Sequence, residues 1–314
     1  MSPLVAAGVP AEAPGGGTAP GAAPSPKSGV RWAKRMKLRL YHHRDGARIA
    51  YREAGVGPPL ALVHSAGLSH REFEPLVEEL SDRFRLVLPD LPLHGDSEDR
   101  PNHPYTQEWL VEVLAGFIRD TCGPRPIVGG HDVGALLVLR AVLSQQIQPE
   151  RLVLLPSALH HAPPNGRSSR LVRVAARAGG IPGFGSIAAR GATLAFRPAA
   201  GEALSARGNP AARDLVRHAL QGLPRNGNRA KAWAKAARRW PAGPDADLLD
   251  GYRHITCPTL LLWADADRRH PLALAEELED LIPGAQLRTL DGTGYLMAYD
   301  DPVGMAREIA AFCL

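Results

Sequence analysis

Cysteine is scarce: Cys122, Cys257 and Cys313 are the only three in 314 residues. Their odd number and wide spacing argue against a disulfide framework and give no metal-ligand pattern, so they read as reduced thiols of a cytoplasmic protein. Aromatic residues make up 5% of the chain, and no stretch interleaves them with basic residues. Without such a platform or a reader motif, nucleic acid is not an expected partner. No apolar run approaches membrane-spanning length, so no membrane segment is expected. No basic residue precedes Lys27, whereas a secretory signal puts positive charge ahead of its apolar stretch, so export is not expected either. Two further absences bear on chemistry. No histidine follows His270, and no tyrosine lies between His160 and Asp250.

What is present suits one α/β domain with an insertion. Apolar residues make up 45% of the chain, enough for a large core. The Ala, Pro and Gly-rich start cannot bury enough apolar surface to order itself, so residues 1–37 are expected to form a disordered tail. The basic run Arg31, Lys34, Arg35, Lys37 and Arg39 that flanks it reads as a solvated surface. Strands are expected at Pro59–His64, which reads as buried, and at Phe84–Leu88, Arg151–Leu155, Thr259–Trp263 and Gln286–Leu290.

Between Ile127-Val128, which reads as the end of a strand, and the apolar helix Ala135–Leu143 lies Gly130-His131-Asp132-Val133-Gly134. This is a strand-turn-helix elbow, in which small residues two positions either side of the central residue let strand and helix approach closely. Upstream, His64-Ser65-Ala66-Gly67 follows a buried strand, and Asp90-Leu-Pro-Leu-His-Gly-Asp-Ser97 follows another. Downstream come Trp263-Ala-Asp-Ala-Asp-Arg-Arg-His-Pro271 and Asp291-Gly-Thr-Gly-Tyr295. In this order and spacing, the segments resemble those of α/β-hydrolases of the epoxide hydrolase and haloalkane dehalogenase type. The resemblance runs from Leu38 to Leu314, with the middle third poorly matched.

The resemblance implies a mostly parallel eight-stranded sheet with helices on both faces and an inserted helical lid. The core would comprise residues 38–157 and 251–314, and the lid residues 158–250. From His160 to Asp250 there are 15 Arg and Lys against 5 Asp and Glu, whereas the whole chain carries +5, so the lid is basic and the remainder acidic. Such asymmetry can steer an anionic or carrier-linked small-molecule substrate toward the lid, although solvent-facing lid helices rich in Arg would look the same.

By resemblance, Asp132 fills the nucleophile position and Asp267 the acid position, with Asp265 as a turn residue. Tyr295 stands where the family carries its histidine. The backbone N–H groups of Ala66 and Val133 are the expected oxyanion hole, and His64, Ser65, His131 and His270 are candidates for lining the pocket. A carboxylate nucleophile forms an ester that a histidine-activated water must cleave, and a phenol with a pKa near ~10 is a poor base at neutral pH. His270, His131, His160 and His161 are possible substitutes, though the ordinary role of a histidine so placed is structural or lid-facing. No cofactor or metal motif is present, so neither is expected. Three readings stay open. The first is an atypical hydrolase using Asp132 as nucleophile or general base on an ester, epoxide or halide-like substrate. The second is a non-hydrolytic lyase, cyclase or isomerase, and the third is a binding protein that has lost turnover.

Overall fold

The computed structural model describes residues 36–100, 102–161, 204–220, 227–239 and 245–314. Most of the expected tail, and residues 162–203, 221–226 and 240–244 of the expected lid, lie outside the described residues. Eight strands form one sheet: β1 Lys37–His42, β2 Arg48–Ala54, β3 Pro59–Val63, β4 Arg85–Pro89, β5 Ile127–Gly130, β6 Arg151–Leu154, β7 Thr259–Ala264 and β8 Gln286–Leu290. Their order across the sheet is β1-β2-β4-β3-β5-β6-β7-β8. β1 pairs with β2 and β2 with β4 antiparallel, and all other pairs are parallel.

The central strands are apolar throughout because both faces of the sheet are covered. Successive side chains alternate between those faces. Ala61, Val63, Val128, Leu152, Leu154, Leu261 and Trp263 pack with helices α2 (Gln107–Cys122), α3 (Val133–Leu143) and α7 (Leu272–Leu281). Leu60, Leu62, Leu86, Val153, Leu260 and Leu262 face α1 (Leu76–Leu80) and α9 (Pro302–Cys313) on the other side.

β3 is flanked by β4 on one side and β5 on the other, so the chain reverses its winding direction there. The crevice beyond the carboxyl ends of β3 and β5 is the switch point of an open α/β sheet, where ligands bind. Two helices of the insertion, α4 (Pro210–Leu220) and α5 (Gly227–Arg239), lie near that end. Ala212 and Leu215 of α4 pack with Leu68, Tyr295 and Tyr299. α5 is tied to the loop after β4 by an Arg229–Asp99 pair at 3.0 Å, and the Trp233 ring sits against His94. α6 (Leu248–Tyr252) returns the chain to β7, and α8 (Met297–Asp300) precedes α9.

Candidate active site

Asp132 sits at the turn between β5 and α3 with φ +50° and ψ −117°, a conformation a side-chain-bearing residue adopts at a cost of about 1–3 kcal/mol. The neighbouring glycines make the turn possible. A Cβ on Gly134 would stand 2.3 Å from the Val63 carbonyl oxygen, and one on Gly130 would stand 2.5 Å from the Gly134 carbonyl carbon. The Asp132 amide donates to Pro156 O at 3.0 Å, and Ser157 Oγ donates to the Asp132 carbonyl at 2.9 Å. The strained residue is thus held from both sides, and its side chain stays one-quarter exposed.

The two oxygens of this carboxylate have different surroundings. Oδ2 accepts the Tyr295 hydroxyl at 3.1 Å and lies 3.4 Å from the Ala66 amide. Oδ1 faces His270 Nε2 at 3.7 Å, beyond direct hydrogen bonding. His270 is buried, and its Nδ1 is bonded to Asp267 Oδ2 at 2.9 Å. The loop carrying both residues is pinned by Trp263 Nε1 donating to the His270 carbonyl at 2.9 Å and by the Arg269 amide donating to Asp267 Oδ1 at 2.8 Å. Burial alone would raise the Asp267 carboxyl. The bond and charge of His270, the Arg269 amide and His131 outweigh that and hold it below the usual carboxylate range. An ionised Asp267 keeps the proton on Nδ1, leaving Nε2 as the basic nitrogen turned toward Asp132.

His270, a pocket candidate for which a structural or lid-facing role was the ordinary reading, stands between the carboxylates of Asp132 and Asp267. The two acids therefore do not confront each other directly. Tyr295, expected from the resemblance at a histidine position, bonds Asp132 and not Asp267. Its ring neighbours the imidazoles of both His131 and His270, with centroids 4.4 and 5.8 Å away, and the Arg269 guanidinium lies 4.9 Å from the ring centroid. Burial, followed by the charges of Asp132 and Glu72, pushes the phenol well above its ordinary value.

The other expected residues divide in two. Ala66 and Val133 flank the carboxylate, Ala66 through its amide and Val133 as the first residue of α3, whose amide has no acceptor one turn back. His64 and Ser65 do not line an open pocket. His64 is wholly buried, its Nε2 accepting the Leu91 amide at 2.9 Å and its Nδ1 bonded to the Ser65 carbonyl at 2.7 Å. Ser65 turns inward, donating to Glu72 Oε2 at 2.8 Å from its amide and 2.9 Å from its hydroxyl. His131 also turns away from solvent. Its Nδ1 is bonded to Glu72, and its buried Nε2 has no partner among the described residues. Asp265 accepts the Thr293 amide at 3.3 Å and serves its turn.

Glu72 was not among the expected residues. It lies in a short 3-10 turn, His70–Phe73, where nothing in the local sequence distinguishes a buried glutamate from an exposed one. Its carboxylate bridges the loop after β3, which supplies Ala66, and the elbow, which supplies Asp132 and Val133. Burial would lower the His131 imidazole, but the Glu72 charge and hydrogen bond, then Asp132 and Asp267, outweigh it and raise the pKa. Among the described residues, no helix is long and apolar enough to cross a membrane.

Known proteins match this chain over most of its length. The Magnesium-chelatase 30 kDa subunit of Rhodobacter capsulatus is 27% identical over 244 residues, covering 77% of this chain and 81% of that one. A pimeloyl-[acyl-carrier protein] methyl ester esterase of Vibrio vulnificus is 25% identical over 273 residues, covering 82% and 95%. The structure of a thermophilic esterase from Thermogutta terrifontis superposes with a TM-score of 0.67 at 22% identity, over 88% of this chain and 98% of that one. The sequence pattern of the Alpha/beta hydrolase family matches residues 60–308, most of the chain, and the chain belongs to that family.

Proposed function

We propose that the protein hydrolyses a small organic electrophile through an ester formed on Asp132, with His270 as the base that activates water to cleave it. The carrying observation is the asymmetry of the Asp132 carboxylate: Oδ2 lies against two donors while Oδ1 faces His270 Nε2. Oδ1 would attack the substrate carbon, forming a C–O bond as a halide departs with the bonding electrons or, from an epoxide, as the opened ring oxygen keeps them and takes a proton from water. Water would then add to Cγ of Asp132 and give its proton to His270 Nε2. The charge developing on Oδ2 would meet the Ala66 amide and the Tyr295 hydroxyl, which act as oxyanion donors. Collapse breaks the Cγ–Oδ1 bond, the product alcohol takes the proton from His270, and the water oxygen stays in Asp132. The family histidine is thereby replaced by one on the preceding loop. With an ester, attack at the carbonyl carbon would expel the alcohol, protonated by water, and leave an anhydride on Asp132, from which the same water addition at Cγ releases a carboxylate; the esterases among its relatives favour including esters in the substrate search.

The experiment is turnover in H2(18)O with a panel of esters, epoxides and halo compounds, followed by mass spectrometry of the peptide carrying Asp132. Label in that peptide is expected, and His270→Gln should accumulate the unlabelled covalent adduct. Turnover that places label in the product and none in Asp132 would refute the ester and leave Asp132 or His270 as a general base.

A further inference from the structure

We propose that His160, His161 and Glu277 form a site for a divalent transition-metal ion, best suited to Zn2+. This inference does not depend on the hydrolytic mechanism. The two histidines follow β6, and Glu277 lies on α7, 116 and 117 residues from them, so no spacing motif announces the set. In the fold their ligand atoms lie within 4.8 Å of one another. His160 Nε2 is 3.3 Å from Glu277 Oε1 and His161 Nε2 is 2.7 Å from Oε2, so both imidazoles aim the same ring nitrogen at one carboxylate. The rings stand 4.1 Å apart. A hydrogen-bonded ion pair needs only one imidazole; two converging on one carboxylate make a three-donor set of the His2Glu kind that binds Zn2+.

The surroundings fit as well. His160 is 5% exposed and gives the site a fixed anchor, whereas His161 and Glu277 are 41% and 44% exposed, leaving room for an ion to enter and for water to complete its coordination. His160 Nδ1 is 2.9 Å from the hydroxyl of Tyr252, which is wholly buried. A hydroxyl can donate or accept, so this bond survives when the imidazole moves its proton from Nε2 to Nδ1 and frees Nε2 for a metal. α7 carries Glu276, Glu277, Glu279 and Asp280 and no basic residue, which favours a cation at its surface. A bound ion would clamp the start of the insertion to the helix that follows the Asp267–His270 loop.

The test uses the full chain, without a histidine tag, stripped by chelator and titrated with Zn2+ by calorimetry. Thermal unfolding and the visible spectrum of a Co2+ derivative complete it. One saturable site is expected, with a rise in Tm on saturation and a Co2+ spectrum without a thiolate charge-transfer band. His161→Ala and Glu277→Gln, both at exposed positions, should each weaken binding at least tenfold, and Tyr252→Phe, which keeps the buried volume, by about tenfold. Failure of the unaltered chain to bind Zn2+ saturably would overturn the proposal. Unchanged affinity in the His161→Ala/Glu277→Gln double variant, or a thiolate band, would place the ion elsewhere and overturn it equally.

Discussion

Tyr295 is useful because it does not ionise. Burial, and after it the charges of Asp132 and Glu72, push its phenol well above the ordinary pKa, so it keeps its proton and remains a donor to Asp132 Oδ2. A histidine at this position could serve as a base; a phenol that keeps its proton cannot, and on the proposed mechanism that role falls to His270. Tyr295→Phe should therefore leave binding almost intact and strike the chemical step. Loss of one oxyanion donor predicts a fall in kcat of about 10²–10³ with little change in KM. Steady-state kinetics on the substrate found by the labelling experiment would read this. A fall confined to KM would mean that the hydroxyl serves substrate binding instead.

At the scale of elements, the tie made by Glu72 matters most. One buried carboxylate holds the loop after β3 and the elbow in register, and with them the donors that face Asp132. Glu72→Leu would leave the His131 imidazolium and the Ser65 donors without their acceptor in the interior. Removing one member of such a buried pair costs about 3–5 kcal/mol, which urea denaturation would show as a lower midpoint. The pair also carries a pH signature. The folded-state pKa of His131 is raised, so its stabilisation is complete below the unfolded value of about 6.5 and is lost as pH rises through the folded value. Glu72→Gln keeps an acceptor and removes the charge, so it should flatten that decline. A decline of the same size in the variant would assign it to another group.

The strands were legible from sequence because short apolar runs bounded by turn residues have few other uses. β8 matches the expected limits, β3, β6 and β7 differ by one residue at an end, and β4 is shifted by one residue at both ends. The elbow was legible because two glycines and an apolar helix leave little choice of geometry. His270 and Glu72 were not. Whether His270 turns inward depends on the curvature of a loop pinned by Trp263, and Glu72 meets His131 from 59 residues away. His64 and Ser65 were placed in the right loop, but pattern alone does not show that their side chains point into the protein.

Across the whole molecule, charge is unevenly spread: residues 160–250 carry 15 basic against 5 acidic side chains in a chain of net +5. If this basic insertion steers a negatively charged substrate, kcat/KM for an anionic haloacid should fall as salt rises past about 0.1 M, where screening reaches a length of about 10 Å. The uncharged amide of the same acid should be unaffected. Parallel salt curves for the two compounds would leave the basic residues as surface decoration.

Asp267 and His270 lie three residues apart in one pinned loop, whereas the family pattern distributes acid and base over two. On the proposed mechanism the pair acts as one cassette: a loop graft that moves residues 263–271 carries both partners together, and a deletion there removes both. The loop after β8 then need supply no base, and its part at Asp132 is the Tyr295 hydroxyl.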